Sequence, residues 1–546
     1  MSHKSMQTDE TTTRAGPAAP ALPPLSLAVS AIGVMTLAQI GSSISSQLVD
    51  LEIADLGGAF SLSSDDASWI ACIATMAEVA AIPLAATLAR AVTMRTLIIW
   101  TSAIFALAAI ASLPVRDETV LLVLRAVGSF CGGTISVLMF TAVMANLPPG
   151  PGRSAGLSVF AFASTAPSSI AAWVGAVVTE RFGWQGLFYF DIAWAVVLLV
   201  LAITVLRSTA SGMRLAEIDW LGYALLAAGG AALTLFMKQG DRFFWLENTT
   251  IVGAGIVAAV VIPAAVCSFL IRRRPLIDLT LMKTTFGWAV TLATFYRFGM
   301  VMAAFVIPQA LTRLQGFRIT EIADANIWMF WAECASFPIA WYWASRWDAR
   351  IPLSLGLALF AVGAYVSTYL TPAWQAADFR LTEIAIGFGQ GLFLVPTIFY
   401  ATRDVTPQQG PTAAALFNLS RVLGQTFGIA VVGSLITYQE KFHSAILVDY
   451  LSTGSTVAER FNELVASFLS THGDLALAQR QAWSSLSSLA SSQAYVLAFA
   501  DAFVLVSAVL GVSALLVLML PPLRATTKRG GQQPTAVHSF ALRGPR

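Results

Sequence analysis

Blocks of about 20 apolar residues recur along almost the whole chain, and that is the length an α-helix needs to cross about 30 Å of hydrocarbon. In lipid each such segment must satisfy its own backbone polar groups, which a helix does and an isolated strand does not. A β-barrel would instead show short strands of alternating polarity. The blocks therefore predict an all-α polytopic membrane protein. Charge agrees: only 11% of the 546 residues are Asp, Glu, Lys or Arg, against about 25% in a soluble domain. The formal net charge of +2 is too small to mark a nucleic-acid surface. Cys72, Cys131, Cys267 and Cys334 all lie inside apolar blocks without metal-ligand spacing, so neither a disulfide framework nor a metal site is expected.

Spans are predicted near 26–48, 68–88, 96–113, 119–146, 155–178, 184–206, 220–238, 250–271, 286–311, 322–344, 352–370, 382–402, 412–436 and 494–521, fourteen in all. An even number puts both termini on one side. With the N-terminus inside, the inner segments hold nineteen Lys and Arg and the outer segments ten, which by the positive-inside bias makes both tails cytoplasmic. The first outer loop is wholly acidic, with Asp50, Glu52, Asp55, Asp65 and Asp66. Residues 1–25 and 522–546 read as tails; the first lacks the short apolar core and cleavage site of a signal peptide. The connection 438–492 is too polar to cross the bilayer, yet Thr456 and Glu459 have capping-box spacing, and Phe461, Leu464, Val465, Phe468 and Leu469 follow at helical spacing. An amphipathic helix is expected there, either lying on the bilayer and packing on the spans or docking a periplasmic partner.

Internal repeats set the architecture. Glu78 to Pro83, followed by Arg90, is echoed by Glu333 to Pro338, followed by Arg346. Arg125 to Gly128 with Gly132 and Gly133 is echoed by Glu383 to Gly387 with Gly389 and Gly391, and Gly150-Pro151 by Gly410-Pro411. Each pair is eight spans apart, as expected for six helices, two inserted helices and six more, the two halves of a secondary transporter surrounding a midplane site. The expected division is a six-helix bundle at 26–206, two linker helices within 207–280, and a second bundle at 281–521 that includes the excursion.

From about residue 26 to 521 the chain resembles the fourteen-span drug:proton antiporters of the major facilitator superfamily, the EmrB/QacA type. The likeness is carried by Trp69 to Trp100 with Ile82-Pro83-Leu84 and Leu88-Ala89-Arg90, by Ile218-Asp219-Trp220-Leu221-Gly222 with Gly240 and Trp245, by Pro275 to Leu279, by Ile307-Pro308-Gln309, and by Phe417-Asn418-Leu419-Ser420-Arg421 with Gly424. Departures are equally plain. The family's inner-loop pattern G-x-L-A-D-R-x-G-R is here Ala86 to Met94, without its glycines or acid; the helix-five pattern G-P-x-x-G-G keeps little beyond Gly175; and the acid often found in the first span is replaced by Ser42, Ser43, Ser45 and Ser46. The resemblance implies the major facilitator fold in a bacterial inner membrane, coupling to a proton gradient with no cofactor, and work with a periplasmic adaptor and an outer-membrane channel.

An ionisable residue deep in a span costs at least about 2.5 kcal/mol on insertion scales and is a functional candidate by default. Glu78 and Glu333, near the middles of repeat-related spans, are the leading proton carriers, with a hydrogen-bonded structural carboxyl as the competing reading. Arg125 stands where the resembling family places an arginine associated with proton coupling. Arg297 is positioned to hold an anionic group, whereas Arg421 reads as structural. Asp191, Asp501 and Glu383 lie nearer the outer ends; Glu383 replaces the arginine expected from the repeat, which suggests an ion pair with Arg125. Tyr296, Trp331 and Phe393 would suit a pocket for flat apolar solutes, with Gln309 and Asn418 adding polar recognition.

The function read from this set is proton-driven export of amphipathic or hydrophobic organic compounds by alternating access, without chemical change to the cargo. Uptake of a metabolite or lipid flipping by the same fold is the alternative. An intramembrane enzyme is disfavoured, because His3, His443, His472 and His538 all fall outside the spans and the chain has no G-x-x-x-x-G-K-[ST] phosphate loop.

Overall fold

The computed structural model describes residues 25–148, 150–207, 214–272, 275–403, 405–406, 409–453 and 455–519. The predicted tails thus lie, apart from Leu25, outside the described residues. Among the described residues there are seventeen α-helices: α1 (Leu25–Leu51), α2 (Ile53–Ala59), α3 (Ser64–Val92), α4 (Met94–Ser112), α5 (Glu118–Asn146), α6 (Pro151–Phe182), α7 (Gly186–Thr204), α8 (Trp220–Gln239), α9 (Thr249–Ile271), α10 (Thr285–Val301), α11 (Ile307–Gln315), α12 (Ile319–Arg346), α13 (Arg350–Ser367), α14 (Arg380–Thr402), α15 (Gly410–Thr453), α16 (Ser455–His472) and α17 (Leu475–Leu518). Twelve stretches are long and apolar enough to cross a membrane. One of them holds both α6 and α7, and α12, with its Glu321, Asp324 and Glu333, is not among them. With these two allowances the helices fit fourteen crossings.

Local chemistry explains several helix ends. Ser63, Asp117, Asp219, Asn248 and Asp474 each accept a hydrogen bond from a first-turn amide, as N-caps do. The predicted ninth span is one rod with a fault: between α10 and α11, Met302–Val306 form a π-helical turn. Pro308 follows immediately, and a proline that removes an amide and crowds the preceding turn is a recognised cause of such widening.

Packing divides the long helices into two sets joined along an interface. In the first, α3 lies on α5, α4 on α5 and α7, and α1 on α5, α6 and α7; in the second, α12 lies on α14, α13 on α14 and α17, and α10 on α14 and α15. The sets meet where α6 packs on α12 and where α3 packs on α15. Glycines allow the closest approaches. A Cβ on Gly133 of α5 would stand 3.0 Å from Cγ of Glu78, and one on Gly387 of α14 would collide with the Met329 carbonyl in the turn before Glu333. In each set, then, a glycine brings a neighbouring helix against the backbone around a repeat-related acid.

Of the two inserted helices, α8 is fastened to α3. Gln239 and Ser68 share a hydrogen bond, and Arg242, just past α8, pairs with Asp65 at 2.7 Å; Lys238 also reaches Asp50 at the end of α1, at 3.4 Å. Helix α8 also packs on α15, so it lies over the α3–α15 seam. At its other end Asp219 pairs with Arg272, 2.7 Å away at the end of α9.

Among its described residues the excursion is helical except at Gly473 and Asp474, between α16 and α17. At 44 residues each, α15 and α17 run about 66 Å, more than twice the hydrocarbon thickness. The expected amphipathic helix is α16, packed back on α17 with the Phe461 and Trp483 rings 4.7 Å apart.

Candidate functional site

Three polar contacts organise the interior. Glu78 of α3 meets Arg421 of α15, Oε1 to Nη2, at 2.7 Å, and both side chains are only 12% exposed. Its other oxygen accepts a 3.4 Å bond from the Ser46 hydroxyl of α1. Glu333 of α12 is fully buried, and its Oε2 accepts a 2.7 Å bond from the Ser169 hydroxyl of α6. The Oε1 of Glu333 has no hydrogen-bond partner. Both acids singled out by the repeat thus reach across the interface, one from each set.

Arg125 of α5 pairs with Asp191 of α7 at 3.2 Å and lies over the Phe188 ring. This corrects one expectation and sharpens another. Arg125 does not pair with Glu383, because a carboxylate of its own set is nearer; and Asp191, expected only to lie nearer an outer end, is 3% exposed and makes a helix-to-helix contact. Glu383 is fully buried on α14, one turn before Gly387, and neither carboxyl oxygen has a hydrogen-bond partner. Arg421, read from sequence as structural, is the residue that joins the sets at Glu78.

Arg297 of α10 is 3% exposed and rests 5.2 Å from the Tyr296 ring centroid. Its Nε has no hydrogen-bond partner. Gly424 of α15 brings the two helices together here, with an added Cβ 3.3 Å from Arg297 Cγ. Elsewhere on α15, Asn418 is fully buried; its amide donates to the Ala414 carbonyl while its Oδ1 has no partner. A cavity of about 30 Å³ lies beside Glu78, lined also by Ser42, Ser45, Ser46, Arg125 and Asp191. That is room for one or two waters, and it occupies the region where the resembling family often has its first-span acid.

The aromatic candidates fall elsewhere. Tyr296 and Phe393 are fully buried in the core of the second set, stacked at 4.8 Å with an interplanar angle of 11°, and the Tyr296 hydroxyl donates to Gln390. They hold helices together instead of facing a pocket, because α10 and α14 pack directly there. Trp331 is 62% exposed on α12. Gln309 accepts a 3.3 Å bond from Arg313, its neighbour one turn on. Asp501 of α17 accepts 2.8 Å bonds from Gln439 and His443 of α15, so it ties the two long helices together.

Sequence reasoning noted Ser46 only as standing where the first-span acid is often found, and it missed Ser169, an ordinary hydroxyl without distinguishing spacing, and the burial of Glu52. That residue, between α1 and α2, is 1% exposed; Oε1 accepts a 2.6 Å bond from Thr179 of α6, and Oε2 has no partner. Burial pushes its carboxyl up from the usual 4.5 to about 7, the Thr179 bond opposes this, and the neighbouring Asp55 adds to it.

Comparison with known proteins bears on this arrangement. Residues 35–295 match the profile of the Major Facilitator Superfamily. The chain is 22% identical over 453 residues to the multidrug export protein EmrB of Escherichia coli (strain K12), covering 82% of this chain and 86% of that protein. It is 23% identical over 438 residues to the colistin resistance protein EmrB of Acinetobacter baumannii, covering 77% and 83%. Among solved structures, the proton:xylose symporter XylE aligns with a TM-score of 0.53 at 13% identity, covering 92% of this chain and 97% of the symporter. The match, the relatives and the fold point the same way: the chain is similar to membrane transporters of the major facilitator superfamily and, among them, to multidrug export proteins.

Two outcomes follow from the geometry. Removing either partner of the Glu78–Arg421 pair leaves a buried charge alone, a loss of about 3–5 kcal/mol. Thermal midpoints of Glu78→Gln, Arg421→Gln and the double variant should show the double losing clearly less than the sum of the singles; strict additivity would mean that the pair is not made. For Glu52, the folded carboxyl holds its proton to higher pH than the unfolded one, so stability falls as pH rises from about 4.5 to about 7 and then levels. Glu52→Gln should flatten that stretch of the melting curve and melt higher than the parent at pH 8.

Proposed function

We propose that this transporter exports amphipathic or hydrophobic organic compounds from a bacterial cytoplasm in exchange for protons, with both termini inside, and that Glu78 and Glu333 carry the protons. The observation that carries this reading is that both repeat-related acids make their polar contacts across the interface between the helix sets. A proton arriving on Glu78 weakens its attraction for Arg421, and loss of a proton from Glu333 leaves a buried charge facing only a hydroxyl. Either event alters the contacts that keep the sets together, which is what alternating access requires. No cofactor enters; the proton gradient supplies the work. Arg125, held by Asp191, sets the field beside the serine-lined cavity. Arg297 and Asn418, each with an unpartnered buried atom, are the groups we assign to recognition of a polar part of the cargo.

The similarity to multidrug export proteins supports hydrophobic cargo, and 57% hydrophobic composition supports residence in the bilayer. We further propose that the α15–α16–α17 extension meets a periplasmic adaptor and, through it, an outer-membrane channel. It protrudes well past the hydrocarbon, and Tyr438, Phe442 and Trp483 on it are at least half exposed.

The test is substrate-triggered proton release in everted vesicles energised to an acidic interior, across a panel of hydrophobic cations, neutral drugs and weak acids. The parent should release protons, and Glu78→Gln and Glu333→Gln should each do so about 100-fold more slowly while still binding cargo. Parent-like release by both variants would remove the proton assignment.

A further inference from the structure

The two seams between the helix sets are not alike. The α3–α15 seam is covered by α8, which packs on both helices and whose end is pinned to α3 at Asp65 and Ser68 and to α1 at Asp50. The α6–α12 seam instead carries a cavity of about 380 Å³ whose walls come from those two helices alone. Its lining includes Val159, Phe162, Cys334, Phe337, Pro338 and Trp341, with Ser158 the one hydroxyl. No acidic or basic side chain lines it. Its volume is in the range that takes a drug-sized ligand, and it lies towards the start of α6 and the end of α12.

The floor of the groove is the inter-set interface itself. Phe162 of α6 packs edge-on against Phe337 of α12 at 5.4 Å and tilts against Phe330 at 6.3 Å. Cys334, in the wall, is the residue after Glu333, whose bond to Ser169 crosses the same seam. An occupant that parts Phe162 from Phe337 therefore acts on the contact that Glu333 makes. One end of the groove is polar: Trp341 Nε1 donates to Ser154 Oγ at 3.3 Å. In the chain, the charges that flank the Ser154–Trp341 bond are cationic: Arg153, the residue before Ser154, is bonded to the Leu147 and Met144 carbonyls, and Arg346, five residues after Trp341, lies over the Tyr342 ring, while Asp348 pairs with Arg350.

We propose that this groove binds the apolar tail of a single-chain organic acid dissolved in the bilayer, with its carboxylate towards Arg153 and Arg346, and that such compounds reach the transporter laterally between α6 and α12. The proposal rests on the export reading for its purpose, but not for its test. An apolar tail fits the uncharged walls, an anionic head fits the flanking arginines, and a bulky two-chain phospholipid exceeds the volume.

The experiment uses the full chain in phosphatidylcholine nanodiscs and a diazirine-bearing dodecanoic acid. Photolabel should fall on 155–162 and 334–341, drop about fivefold with excess unlabelled dodecanoic acid, and drop by a similar factor in Val159→Phe with Cys334→Phe. The milder Cys334→Ser variant, which keeps the size of the wall, should still label, and the matching trimethylammonium probe should label less. Label that resists competition, is unchanged by filling the groove, or is matched by a diazirine phosphatidylcholine would overturn the proposal and leave ordinary boundary lipid. Because labelling needs no transport, a chain that labels as expected yet releases no protons would count against the export reading alone. One that releases protons yet does not label would count against the groove alone.

Discussion

A charge in hydrocarbon must be compensated, and in this protein the compensation is placed between the two sets of helices. Glu78 and Arg421 are 343 residues apart in sequence and 2.7 Å apart in space. Neither could stand alone at that depth without a cost of several kcal/mol. Their pairing holds α3 to α15, while the Glu333–Ser169 bond holds α6 to α12. The first is an ion pair and the second a single hydroxyl contact, so the two seams are held by unlike interactions. That asymmetry matches the covering of the structure, with α8 lying over the ion-paired seam and an apolar groove over the other.

The glycines explain how such contacts are reached. Acids on long helices meet partners only if the helices come close, and Gly133 and Gly387 remove the side chain that would hold α5 and α14 away. The repeat in sequence is thus a repeat of packing: an acid, a proline one to two turns on, and a glycine on the parallel neighbour. Yet the two copies have diverged where it matters. Arg125 has a carboxylate partner in Asp191, whereas Glu383, its repeat counterpart, has none. Together with Glu333, this gives the second set two buried acids and one buried, unpaired guanidinium in Arg297.

Much of the fold was legible in the sequence, because apolar blocks of fixed length report helices directly. The fourteen expected segments all coincide with helices, and the periodicity after Thr456 located α16. The continuation of α15 and α17 far past the bilayer was not legible, since polar residues such as Gln439, Glu440 and Lys441 read as a loop by hydropathy although they continue the helix. At the site, depth in a span identified Glu78, Glu333 and Arg125, but not who meets whom. Pairing across 343 residues leaves no spacing to read, and so Arg421 was undervalued and the Arg125–Glu383 pair misjudged. Aromatic content likewise said nothing of facing: Tyr296 and Phe393 lie in the core and Trp331 outside it.

The central claim is that protons on the bridging acids alter how the two helix sets meet. Spin labels at Thr119, beside the start of α5, and at Ala377, just before α14, are both on exposed positions at the same end of the bundle. Pulsed electron-spin distance measurements between them, taken in nanodiscs from acid to alkaline pH, read the opening of that end directly. The account predicts a distance distribution that shifts with pH in the parent and is fixed in Glu78→Gln with Glu333→Gln. A shift of the same size in that double variant would contradict it.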